Sequence, residues 1–248
     1  MSDLARGSSL NLKGRYYAGD QNEFADGVLK LARYGCGLVG LTDLLIYLME
    51  KDWKQNRRKA PGNDAGGGIV PGEKTGSRET AGEVRRHGGE AYQRLVKSFD
   101  EHLARVRGRL GLNGYSMARA FNKRAAERGW LLRGTWGAPK GRLPEAVQDM
   151  LERDLPVILS FGPLFRLPGQ NPGILMYPEG GGPPVRVQDH YVTVIGILDK
   201  AGTEYYRIVS WGKCYLIRTE DYRKGRKHWP VFGPLFSNIL YIRDTYSV

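Results

Sequence analysis

One stretch of this chain constrains its fold more than any other. After Tyr34-Gly35-Cys36-Gly37 the sequence runs LVGLTDLLIYLMEKDW, in which Leu38, Leu41, Leu44, Leu45, Leu48 and Met49 recur at helical spacing. A helix with so little polar surface cannot present one side to water, so it must lie at the centre of the structure with Cys36 at its start. The chain has 248 residues and 41% hydrophobic content, enough to build a large core around that helix, and wholesale disorder is excluded.

The flanking segments fall into a helical half and a strand-rich half. The first 20 residues mix glycine, serine and charge and read as a loosely held arm, followed by a short helical approach between Asn22 and Tyr34. Residues 55–90 are dense in glycine and charge without a hydrophobic period, which predicts an insertion or lid. Residues 91–110 and 116–128 read as amphipathic helices, the second with Ser116 as N-cap and Gly129 just past its end. Residues 143–153 form a third, with Pro144 in its first turn. Beyond Pro156 the period becomes extended: PVILSFG, VQDHYVTVIGIL, TEYYRIVSWG, KCYLIRT and SNILYIR are β-rich runs. The expected fold class is therefore α+β. A single domain over residues 1–248 packs a buried nucleophile helix on a C-terminal antiparallel sheet, and the two halves meet along one cleft.

Cys36 sits between two glycines where the macrodipole and the free amides of a helix start favour negative charge. That position predicts a lowered thiol pKa and backbone donors able to hold an oxyanion. Gly35 and Gly37 would let a substrate backbone approach. Two readings of Cys36 stay open on this ground alone, a nucleophile or a small buried residue where two helices touch. Of the four histidines, only His190 begins an alternating apolar strand, a rigid mount for a general acid and base. His87, His102 and His228 fall in polar surroundings and are set aside. In the next strand, Ser210 is the polar residue at the end suited to orient the imidazole.

These residues resemble those of the papain-like cysteine peptidases, in particular the bacterial bacteriocin-processing-peptidase branch. The likeness rests on the Gly35-Cys36-Gly37-Leu38 turn with its helix, the strand from Pro156 to Gly162, His190-Tyr191-Val192 and Ser210-Trp211-Gly212, about half of the chain. It implies a papain-like fold, a Cys36 nucleophile, a His190 base and a thiol-dependent peptidase or amide hydrolase. Relatives carry Asn where Val209 stands, or Asp where Ser210 stands, so the third member falls on Ser210. Lys30 occupies the place of the usual oxyanion glutamine, which leaves Gln21 and Asn22 as substitutes alongside the Cys36 amide. Trp211 either roofs the imidazole or packs in the core. Tyr34 either lines the substrate cleft or covers the helix start. Cys214 reads as a packed thiol. Acyl or peptidyl transfer on the same dyad, or a non-catalytic binding module on this scaffold, are the alternatives.

Other chemistries find no support in the sequence. Two cysteines and four histidines contain no C-x-x-C, H-x-x-x-H or H-E-x-x-H, and the Gly66-Gly67-Gly68 run lacks the continuation of a phosphate loop, so no metal and no cofactor is expected. A formal charge of +12 suits an acidic peptide or protein substrate. The basic clusters at 51–59 and 223–227 come without a nucleic-acid motif, and specific nucleic-acid binding is not expected. No stretch is long and apolar enough to span a bilayer, and the N-terminal residues lack the apolar core of a secretory signal. The expected location is cytoplasmic, or outside the cell by a route that needs no such signal.

Overall fold

The computed structural model describes residues 5–6, 11–12, 15–16, 19–24, 29–59, 89–103, 105–106, 111–139, 142–162, 173–227 and 237–245. Among them are six helices and eleven strands in an α+β arrangement with antiparallel sheets. Most of the expected insertion, residues 60–88, lies outside the described residues, as do His87 and His228.

Helices α1 (Leu29–Tyr34) and α2 (Cys36–Lys59) follow one another with only Gly35 between them. The junction is steric: the Gly35 amide donates to the Leu31 carbonyl at 2.8 Å, and a Cβ on Gly35 would lie 2.3 Å from that same oxygen. Every residue from Gly37 to Leu48 is buried, as the leucine spacing predicts. The helix continues to Lys59, past the end of the apolar run and into the start of the expected insertion. Helix α3 (Gly89–His102) stops well before Leu110, because the Asp100 carboxylate turns the chain back by accepting the Val106 amide at 2.6 Å. Helix α4 (Gly114–Glu127) starts earlier than expected. Its cap is Asn113, whose Oδ1 accepts the Ser116 amide at 2.8 Å, so Ser116 is the donor and not the cap. Helix α5 (Leu143–Glu152) carries Pro144 in its first turn as read.

The N-terminal arm contributes β1 (Ala5–Arg6) and the hairpin of β2 (Asn11–Leu12) with β3 (Arg15–Tyr16). Strand β4 (Leu132–Trp136), unmarked in the sequence reading, pairs with β11 (Leu240–Asp244) in a sheet of its own; the expected single sheet is therefore split. The main sheet comprises β1, β5 (Val157–Phe161), β6 (Ile174–Pro178), β7 (Val185–Val187), β8 (His190–Lys200), β9 (Thr203–Ser210) and β10 (Lys213–Arg218). β8 is its axis. It pairs with β9 along one edge and with β5 and then β1 along the other, and its Val- and Ile-rich run is buried on both faces. A sixth helix, α6 (Thr219–Lys227), carries the basic cluster at 223–227; Tyr222 anchors it from within by donating to the Ser160 carbonyl at 3.2 Å.

Helix α2 lies on the main sheet at β8. A Cβ added to Gly37 would meet the Tyr191 ring at 3.0 Å, and one added to Gly40 would meet Thr193 Oγ1 at 3.5 Å. One hydrophobic core joins this helix to α4, α5 and the sheet. The Gly35 junction generates a test: Gly35→Ala should lose about 2 kcal/mol or more in urea unfolding, whereas Gly180→Ala, where an added Cβ meets nothing within 4 Å, should lose none. Equal stability of the two variants would contradict the steric account.

Candidate active site

Cys36 is the first residue of α2, with Gly35 immediately before it. Three backbone amides act on its sulfur in favour of the thiolate, those of Tyr191, Gly37 and Cys36 itself. The expected lowering of the thiol pKa nevertheless does not occur. Burial between helix and sheet outweighs the donors, the Asp189 carboxylate adds a smaller push in the same direction, and the net shift is upward. Gly35 makes room for Leu31 and Gly37 for the Tyr191 ring.

His190 opens β8 directly before Tyr191, following Asp189, whose φ of 53° turns the chain into the strand. Its ring is 5% exposed and its Nε2 lies 2.7 Å from Ser210 Oγ. Trp211 stacks on it, with centroids 4.6 Å apart and planes at 25°, and Tyr215 meets Trp211 edge-on at 6.1 Å. Burial lowers the imidazole pKa to about 4. Register explains why the hydroxyl partner is Ser210 and not the neighbouring position: Val209 pairs with Thr193, which faces Gly40 of α2, while alternation puts Ser210 on the face of His190. The thiol therefore meets the strand at the Tyr191 backbone, and the imidazole leaves it one residue earlier on the alternate side of the pleat, at the end of the sheet.

A narrow recess between α2, β8 and β9 is lined by Cys36, Tyr191, Ser210 and Trp211 together with Gln21 and Asp43. Of the residues expected to supply an oxyanion donor, Gln21 reaches this recess, but its Nε2 donates to the Ala32 carbonyl at 3.0 Å. Asn22 does not reach it; exposed, it is turned to Asp20 Oδ1, 2.8 Å from its Nδ2. Among the expected cleft residues Trp211 lines the recess, whereas Tyr34, Gly35 and Gly37 do not; Tyr34 packs on the core. Cys214 packs against the core and engages the Glu179 side chain. His102 is exposed beside Glu101.

Asp43 is the residue the sequence reading passed over. It follows Cys36 by about two helical turns on one face of α2, is 3% exposed, and accepts from the Tyr92 hydroxyl at 2.7 Å and the Gly19 amide at 3.2 Å. Burial raises its pKa to about 7. A lone carboxyl inside a run that must be buried was the available signal, since an acid is rarely buried without a purpose or a partner.

Among the described residues no group of three or more His, Cys, Asp or Glu is placed to hold a metal ion, and no helix is long and apolar enough to cross a membrane. No family model, curated protein or solved structure matches this chain.

The Asp43 geometry makes stability depend on pH with a definite sign. Because the folded carboxyl titrates near 7 and the unfolded one near 3.8, its stabilising contribution is complete below about pH 4 and is lost as pH rises to about 7. His190 acts the other way: its contribution is complete above about pH 6.5 and is lost as pH falls to about 4. Asp43→Asn isolates the first effect. In urea unfolding the variant should match the wild type near pH 4 and exceed it at about pH 8 by more than about 1 kcal/mol. A difference independent of pH would contradict the buried neutral acid.

Proposed function

We propose that the protein is a papain-like cysteine hydrolase that cleaves a peptide or other amide through a thioester on Cys36. The observation that carries the reading is the His190–Ser210 pair at 2.7 Å beneath Trp211, one residue before the amide that meets the Cys36 sulfur. Since burial raises the thiol and lowers the imidazole, the resting pair is uncharged at neutral pH. Ser210 engages Nε2, so the proton passes through Nδ1. The reading requires the His190 ring, which leaves the strand one residue from the Tyr191 amide and is not among the residues lining the recess, to reach the Cys36 sulfur when substrate is bound. The sulfur then attacks the substrate carbonyl carbon as its proton moves to the ring. Backbone amides at the helix start stabilise the charge on oxygen, and Ser210 and the Trp211 face stabilise the imidazolium. Collapse breaks the carbon–nitrogen bond, with the ring proton going to the leaving amine. Water, deprotonated by His190, then attacks the thioester carbonyl; the carbon–sulfur bond breaks, the acid leaves and the ring proton returns to the Cys36 sulfur, while an amine in place of water would make the protein an acyl transferase.

The upward shift of the thiol favours one competing reading, a non-catalytic binding module on the same scaffold. A library of peptide substrates and a peptide-aldehyde probe separate the two. The hydrolase reading expects the aldehyde to label Cys36 in preference to Cys214, Cys36→Ala to abolish turnover, and Ser210→Ala to lower kcat about tenfold, the worth of one hydrogen bond. Undiminished function of Cys36→Ala contradicts it.

A further inference from the structure

The recess beside Cys36 holds one acceptor without a donor and one carboxyl without a cationic partner among the described residues. Gln21 Oε1 is buried without a partner among the described residues, its Nε2 being committed to Ala32. Asp43 lines the same recess, and among the described residues none of the lining is basic. Its two donors, the Gly19 amide and the Tyr92 hydroxyl, are neutral groups that do not balance an ionised carboxyl. An unpaired buried acceptor costs about 1–3 kcal/mol, and a buried carboxylate held by neutral donors without a counter-charge is also costly to ionise. A compact group carrying positive charge and several N–H donors relieves both at once. The narrowness of the recess selects a primary ammonium over a planar guanidinium, which needs a broad flat site for its fork of donors.

We propose that this recess is a subsite for a protonated primary amine of the substrate, such as a lysine side chain or an N-terminal amine, bound by Asp43 and Gln21 Oε1 beside the Cys36 sulfur. The inference rests on the hydrolase reading for its place in a reaction, but the binding itself does not require turnover. Asp43 attracts the charge, and Gln21 Oε1 accepts one of the N–H donors that remain. Substrates bearing the amine are thereby held with their reactive carbonyl close to the first turn of α2, where the nucleophile is mounted.

The test uses the full chain carrying Cys36→Ala, with n-propylammonium as probe and n-propanol as its neutral isostere. Calorimetry at about pH 8 keeps the Asp43 carboxyl, shifted to about 7, largely ionised. The expected result is that the amine binds at least about tenfold more tightly than the alcohol, a difference of about 1.4 kcal/mol, and that Asp43→Asn removes the preference. Gln21→Leu, at a partly exposed position, should weaken amine binding severalfold and gives a second arm independent of Asp43. Equal binding of the two probes, or binding of neither, overturns the subsite and leaves a recess that holds water only. Amine binding in a protein that turns over no substrate supports the subsite while removing the hydrolase reading. Turnover that takes no account of the amine does the reverse.

Discussion

The seat of the first turn of α2 on strand β8 is the constraint from which the rest of the arrangement follows. Gly37 has no side chain where the Tyr191 ring must lie, and a Cβ added to Gly40 would make only ordinary contact with Thr193 and Ile158. The sulfur of Cys36 consequently meets the Tyr191 amide, and the residue before that amide is His190. Asp43 shares the stripe of Cys36 and Gly40, since positions four and seven residues apart fall on one helix face, so a single packing contact places the thiol, the acid and the recess together.

A second consequence is electrostatic. The residues around the junction of helix and sheet are closed to solvent, and the ionisable groups on either side of the pleat move toward their uncharged forms: Cys36, Asp43 and Tyr191 upward, His190 downward. Amides at a helix start lower a thiol pKa when the site is open to solvent, but here desolvation is the larger effect. On the proposed reading, charge separates only while substrate occupies the site. The nucleophile is then generated by the same proton transfer that begins the reaction, which suits a group that must stay inert in its absence.

The features most legible in the sequence were those with a strong periodic signal. The buried stretch of α2, the placement of Pro144 in α5 and the run of β8 with β9 and β10 follow directly from apolar spacing. Strand β4 was hidden because its LRGTW sequence alternates poorly and is stabilised by a partner more than a hundred residues away, Leu240–Asp244. Helix α6 was hidden because its sequence, TEDYRKGRK, offers only Tyr222 as an apolar anchor. In the site, the serine next to Trp211 was readable as the partner of His190, and sheet register supplies the reason that Val209 is apolar. The direction of the thiol shift was not readable, because local helix geometry and burial oppose each other and only the depth at which the sulfur is buried decides between them.

The central claim is that Cys36 and His190 are both uncharged at rest. Titration of the native protein followed by nuclear magnetic resonance at the Cys36 Cβ and the His190 ring tests it most directly. The account predicts a ring that stays neutral down to about pH 4 and a thiol that keeps its proton beyond its ordinary value of 9.0. A thiol that loses its proton below neutral pH while the ring gains one, the signature of a preformed ion pair, would contradict it.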